Sequence, residues 1–265
     1  MQATVTSNEN IFGSYFHLEV AAKGIGRKAW PGTFYMLKVA SGTDPLLRRP
    51  ISLHRVVSDD VVRFLYKSVG RGTNILGRLV PGDSLDIIGP LGNGFKVGKS
   101  VRLAMLVAGG IGVAPLLGLA EHIMKTRKDV TVVAFIGGRS EEDLLAIQEF
   151  RELGVRMYLC TEDGSLARCG IVTDTIEEYI KRYAPSGTKG WEMFSCGPKG
   201  MLRGVDAIAS MHKIKHHASL EANMACGVGA CMGCVVSILD RKTGVPVYKK
   251  VCDDGPVFDA EDVVW

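Results

Sequence analysis

The sequence predicts a β region followed by an α/β region, with a short cysteine-rich segment at the end. Three observations predict it. Short alternating or β-branched runs fill the first hundred or so residues, separated by turn signals. From about Val101 strand-like runs alternate with helix-like ones. After about His216 four cysteines crowd among glycines. The implied segments are 1–99, 100–215 and 216–265.

The β runs are 15–20, 34–39, 61–69 and 85–88. Between them stand Pro31-Gly32, Ser41-Gly42, Pro81-Gly82-Asp83 and Gly92-Asn93-Gly94. Regular short strands punctuated in this way predict a small barrel or sandwich. In the second region strands are expected at 101–107, 130–136, 155–160 and 191–196. Helices are expected from the glycine cluster to Lys125, over 141–153 and 173–183 (both acidic early), and over 198–211, opened by Pro198. Such alternation predicts a Rossmann-like parallel sheet with helices on both faces. The last segment has one short run, 235–239, and too few apolar residues for a core of its own, so a metal is expected to hold it.

Composition excludes several classes. The net charge of +4, with acids and bases interleaved, gives no footprint for nucleic acid. Residues 103–120 carry no charge, but Gly109, Gly110, Gly112, Gly118 and Pro115 break them into strand, turn and helix rather than a membrane span. The polar first ten residues show no secretory signal. Seven cysteines, four of them within 226–252, point to a metal site in a reducing compartment; a cytoplasmic protein is expected.

Cys226-x4-Cys231-x2-Cys234, with Cys252 further on, has the spacing of plant-type 2Fe–2S clusters. Gly227, Gly229 and Gly233 let such a loop wrap closely and aim amides at sulfur. The alternative is zinc, whose sites usually show paired short spacings. Cys160 and Cys169 read as small buried hydrophobes. Gly109-Gly110-Ile111-Gly112-Val113-Ala114-Pro115, between a strand and a helix, suits a pyrophosphate. Ser195-Cys196-Gly197-Pro198, followed by Met201, puts a small thiol and bare backbone at the carboxyl edge of the sheet, where open α/β sheets bind ligands. Arg49-Pro50-Ile51-Ser52 and Gly70-Arg71-Gly72-Thr73 suit a diphosphate, although alone they read as a surface arginine and a hairpin turn.

In this order the motifs resemble the ferredoxin–NADP reductase superfamily, an FAD-binding antiparallel β-barrel followed by a nucleotide-binding α/β domain. The resemblance implies that Arg49 contacts the FAD pyrophosphate and that Ser52 bonds near the reactive flavin nitrogen. Ile51 stands where the family commonly has tyrosine. Gly72 and Thr73 resemble its second phosphate turn. Gly109, Gly110, Gly112 and Pro115 resemble its nicotinamide-dinucleotide loop, and Cys196, Gly197 and Pro198 its nicotinamide-facing segment. Ser52 and Cys196 are thus the implied catalytic residues. With a C-terminal 2Fe–2S domain the chain is similar to the electron-transfer subunits of NAD-dependent bacterial dihydroorotate dehydrogenases. Arg48 to Ser52, Pro31-Gly32-Thr33-Phe34, Thr161-Glu162-Asp163-Gly164-Ser165, Cys226 to Cys234 and Val251 to Phe258 carry that likeness.

That resemblance implies an FMN-containing catalytic subunit as partner, in a heterotetramer of two of each, serving pyrimidine biosynthesis. Electrons from dihydroorotate would leave the FMN singly, cross the cluster to FAD, and reach NAD+ as a hydride. Arg139 suits a 2′-phosphate, but Glu141 and Glu142 oppose one, so NAD is expected rather than NADP. The alternatives are the small subunit of an NADH-dependent ferredoxin–NADP oxidoreductase, in which one cluster ligand looks like aspartate where this chain has Cys226, a stand-alone NAD(P)H reductase, and a redox sensor without turnover.

Overall fold

The computed structural model describes all 265 residues. Its backbone contacts divide the chain into two compact units. The first comprises residues 1–94, 221–236 and 248–256; the second comprises 95–220, 237–247 and 257–265.

In the first unit β1 (Gln2–Phe12), β2 (Tyr15–Ala21), β3 (Phe34–Lys38), β4 (Arg49–Ser58), β5 (Val61–Lys67) and β6 (Ser84–Leu91) close an antiparallel barrel in the order β1-β2-β5-β4-β3-β6. Its short helix is α1 (Arg71–Leu76). Period-two alternation sends Leu18, Val20, Tyr35, Leu37, Val62, Phe64, Leu85 and Ile87 into one core. Burial of each such side chain stabilises by roughly 1.5–3 kcal/mol. Tyr35 is wholly buried and its hydroxyl donates to the Ile25 carbonyl at 2.7 Å. Met36, between the inward Tyr35 and Leu37, is also fully buried. Gly227 of the cysteine loop lies against it, where a Cβ would be 2.5 Å from Met36 Cγ.

The second unit follows the expected alternation: β7 (Leu103–Gly109), α2 (Ala114–Thr126), β8 (Thr131–Gly138), α3 (Ile147–Glu152), β9 (Arg156–Thr161), β10 (Arg168–Cys169), α4 (Val172–Tyr183), β11 (Trp191–Cys196), α5 (Lys199–Met211) and β12 (Lys215–Ser219). Beyond the cysteine loop, β13 (Val235–Leu239) and β14 (Pro246–Lys250) pair as a small separate sheet. The chain then returns as β15 (Val257–Asp259), which joins β12 as the one antiparallel edge of a seven-stranded sheet ordered β10-β9-β8-β7-β11-β12-β15. The other neighbours are parallel. Strand order reverses between β7 and β11, and the crevice beyond their carboxyl ends is where such sheets bind ligands.

One expected element is shorter than its pattern. Over 141–153 there is a 3-10 turn at Glu141–Asp143 and then only α3. Leu144 and Leu145 are buried and Ala146 takes a left-handed φ of 57°, so the chain bends inward between the two pieces. The uncharged stretch at 103–120 is indeed strand, turn and helix, and no helix is long and apolar enough to cross a membrane.

Candidate functional site

In the first unit all four cysteines of the spaced motif are free thiols. Cys234 and Cys252 are buried, while Cys226 and Cys231 are half-buried. Backbone amides aim at the sulfurs. Gly229 N–H donates to Cys252 Sγ at 3.2 Å, Cys231 N–H to Cys226 Sγ at 3.4 Å and Gly233 N–H to Cys231 Sγ at 3.5 Å. The first of these draws the fourth cysteine to the loop of the other three, and Val251 N–H to the Cys234 carbonyl (3.0 Å) fixes the approach. Amide donors from Val228 and Cys231 lower the Cys226 pKa to about 6, favouring thiolate; burial pushes Cys252 up to about 11. Gly227 and Gly229 have φ of 72° and 77°, and a Cβ on either would strike Met36 or the Asp253 carboxyl. The donor set is all sulfur, and the amides around it supply the hydrogen bonds that an anionic iron–sulfur centre needs, so these residues fit a cluster. The turn after Cys252 is clamped by Asn93, whose side-chain amide donates to the carbonyls of Asp253 (2.8 Å) and Asp254 (3.2 Å). In sequence Asn93 reads only as a turn residue.

On the barrel, the structure brings Arg49 and the glycine turn together. A Cβ on Gly72 would lie 2.2 Å from Arg49 Nε, so the guanidinium rests on the bare backbone of α1. Arg49 also donates to the Leu47 carbonyl at 2.5 Å. The Thr73 hydroxyl is committed locally. It accepts from the amides of Val69 (2.9 Å) and Gly70 (3.2 Å) and donates to the Gly70 carbonyl (3.1 Å). Its part is therefore to shape the turn. Pro50, Ile51 and Ser52 lie along β4 opposite Met36, Tyr35 and Phe34, with Ile51 packed on the barrel core and Ser52 half-buried.

In the second unit β7 runs into a 3-10 turn (Gly110–Val113) and then α2, with Pro115 in its first turn. This turn lies directly against the end of β11. A Cβ on Gly112 would be 2.1 Å from the Cys196 carbonyl oxygen and 2.7 Å from Gly197 N. One on Gly109 would be 2.6 Å from Met201 Sδ and 2.7 Å from Pro198 Cδ. Glycine at 109 and 112 thus lets two loops meet backbone to backbone at the switch point. Cys196 itself is only 2% exposed; Cys160 is buried, but Cys169 is exposed on the two-residue edge strand β10, its thiol toward the Glu162 carbonyl, rather than buried as expected.

A polar network beneath this edge was not visible in sequence. Asp206 on α5 accepts from His216 Nδ1 (3.3 Å) and from Trp265 Nε1 (2.9 Å), which leaves His216 Nε2 to accept the Ser195 hydroxyl at 2.7 Å. The residue types are those of a hydrolytic triad, but Ser195 is fully buried, so no substrate reaches it. Burial holds His216 below the ordinary imidazole range, and it stays neutral. Its neighbour His217 differs. Burial opposes its charge, but Asp259 at 3.0 Å and Glu192 at 3.8 Å outweigh that and raise its pKa. The Arg139 amide donates to Asp143 (3.1 Å), with Glu141 and Glu142 exposed beside it.

A four-thiol loop and a glycine turn at the switch point suit a nicotinamide-linked iron–sulfur oxidoreductase, and two family models match that class. Residues 106–207 match an oxidoreductase NAD-binding domain. Residues 221–264 match the iron–sulfur cluster binding domain of dihydroorotate dehydrogenase B. Full-length relatives narrow this further. The chain is 38% identical over 268 residues to a Geobacillus protein (99% of this chain, 98% of that one) and 38% identical over 264 residues to one from Bacillus caldolyticus (98% and 97%). It is 36% identical over 251 residues to one from Desulforamulus reducens (94% and 92%). The chain belongs to the family that these three share, the electron transfer subunits of dihydroorotate dehydrogenase B (NAD(+)). The fold is also that of an NADH-dependent reduced ferredoxin–NADP oxidoreductase, with a TM-score of 0.85 at 24% identity, covering 99% of this chain and 90% of that one. The cytochrome b5 reductase domain of Ulva prolifera nitrate reductase superposes with a TM-score of 0.62 at 16% identity, over 76% and 88%.

Proposed function

We propose that this chain is the NAD-facing half of a dihydroorotate dehydrogenase, receiving electrons from an FMN-containing catalytic subunit and delivering them to NAD+. The observation that carries this reading is the all-sulfur loop with three amide N–H groups aimed at its thiols. Family membership supports the partner.

Cys226, Cys231, Cys234 and Cys252 would hold the 2Fe–2S cluster. Arg49, Pro50, Ile51, Ser52, Gly72 and Thr73 would line the FAD site. When bound, the cluster supplies one-electron transfer, and FAD supplies the exchange between single electrons and hydride. The chain's own residues position and tune. Arg49 offers its guanidinium to a pyrophosphate while Gly72 leaves room for it. Thr73 shapes the turn, and Ser52 presents a hydroxyl. Gly109 and Gly110 would offer partly exposed backbone to the dinucleotide, buried Gly112 and Pro115 would shape that turn, and Cys196, Gly197 and Pro198 would lie alongside it. Glu141 and Glu142 beside Arg139 disfavour a 2′-phosphate and so favour NAD. A heterotetramer of two of each subunit in the cytoplasm belongs to the same reading.

The test is dihydroorotate-dependent NAD+ reduction by this chain mixed with a candidate FMN subunit, against that subunit alone. NADH formed only by the mixture supports the proposal. No NADH from the mixture, while this chain still oxidises NADH with an artificial acceptor, leaves a flavin reductase and removes dihydroorotate.

A further inference from the structure

A basic side chain reaches the cysteine loop from outside it. Lys250 ends β14, two residues before Cys252. Its ammonium donates to the Gly229 carbonyl at 2.7 Å and pairs with the Asp253 carboxylate at 3.0 Å. Gly229 is the residue whose amide points at Cys252 Sγ. Its left-handed φ of 77° lets amide and carbonyl serve different partners, the amide facing sulfur and the carbonyl facing the ammonium. A Cβ there would lie 2.9 Å from the Asp253 carboxyl, so the close approach of loop and carboxylate depends on glycine. The neighbouring Lys249 pairs with Asp254 at 3.2 Å instead and touches no cysteine-loop carbonyl. Lys250 is also the less exposed of the two lysines, 26% against 45%.

We propose that Lys250 is a positioning and potential-setting residue of the cluster: it holds Gly229 with its amide on Cys252, and its positive charge raises the cluster's reduction potential, with Asp253 opposing it. The inference rests on the cluster reading above. The sign follows from elementary electrostatics. Reduction adds one negative charge at the cysteine loop, which a nearby cation stabilises and a nearby carboxylate disfavours. Net charge and hydrogen bonds to sulfur are the levers that tune such centres. Replacing Lys250 with an uncharged residue removes the cation, leaves Asp253 unbalanced and frees the Gly229 carbonyl. All three push the potential down. Removing the Asp253 charge leaves the ammonium unopposed and pushes it up.

The experiment is a redox titration of the cluster followed by electron paramagnetic resonance, on the full chain with its cofactors, with iron and sulfide assayed in every sample. Expected are a lower midpoint potential in Lys250→Met, one near the parent in Lys250→Arg, and a higher one in Asp253→Asn. A purely structural role would not move the two uncharged variants in opposite directions. Full iron with an unmoved midpoint in Lys250→Met overturns the proposal, as does movement of both variants in the same direction. If Lys250→Met loses its iron, Asp253→Asn decides: an upward shift supports the proposal and no shift overturns it. Absence of iron from the parent chain would instead remove the cluster reading, and the inference with it.

Discussion

Gly112→Ala tests whether the two loops at the switch point meet as described. The new Cβ would lie 2.1 Å from the Cys196 carbonyl oxygen and 2.4 Å from its carbon, both backbone atoms that no rotamer change can move aside. Ordinary contact begins near 3.4 Å, so the turn or the end of β11 must retreat by about 1.3 Å. Overpacking of this kind costs about 1–3 kcal/mol. At about 2–4 °C per kcal/mol, Tm should fall by several degrees. A displacement of about 1 Å at a reacting geometry costs on the order of 10²-fold in rate, so NADH oxidation with ferricyanide should fall by about that factor while flavin and cluster absorbance remain. Gly110→Ala is the control for the steric effect on Tm alone. Its φ of 52° adds about 1–2 kcal/mol of left-handed strain, but nothing lies within 4 Å of the new methyl. Gly112→Ala with parental rate and Tm would refute the contact.

Cys231→Ser should bleach the cluster bands and leave flavin absorbance; equal loss of both would show that the two sites do not load separately. Tyr35→Phe leaves the buried Ile25 carbonyl without its donor, and should lower stability by about 1–3 kcal/mol, read as a lower urea midpoint at constant slope; an unchanged midpoint would contradict the bond. For His217 the folded pKa is raised, so its contribution is complete below about pH 6.5 and lost as pH rises through the folded value. Its partner Asp259 is held at about 2, so the pair survives acid down to about pH 4. The Tm gap between the parent and His217→Gln should therefore be widest between about pH 4 and 6.5 and should narrow by pH 8.5; a constant gap would show that the ion pair contributes nothing.

The features that proved legible in sequence are local ones. The cysteine spacing and the glycine turn between β7 and α2 each concentrate their signal within a few consecutive residues. β1 has no clear apolar alternation because only Ala3 and Val5 of its first seven residues are fully buried, the rest being polar and either exposed or half-buried. The helix over 141–153 was overestimated because its apolar spacing suits a helix, whereas Leu144 and Leu145 are buried by a bend at Ala146. The carriers of the finer site structure lie far apart in the chain. Asn93 reaches Asp253, Lys250 reaches Gly229, and Asp206 gathers His216 and Trp265. No periodicity or spacing encodes such pairings.

The order in which the chain is made gives the contact of Gly227 with Met36 a further consequence. The barrel strands leave the ribosome before the parallel sheet, yet Gly227, which packs on Met36, is encoded after the last parallel strand. Until residues 221–256 emerge, Met36 lacks its Gly227 contact and the first unit has no thiol to offer a metal. Delivery of iron and sulfide during translation therefore has no four-thiol loop to act on until residues 226–252 have emerged. A nascent chain stalled at about residue 220 should leave Met36 more accessible than it is in the longer chain, as read by oxidation of its thioether to the sulfoxide.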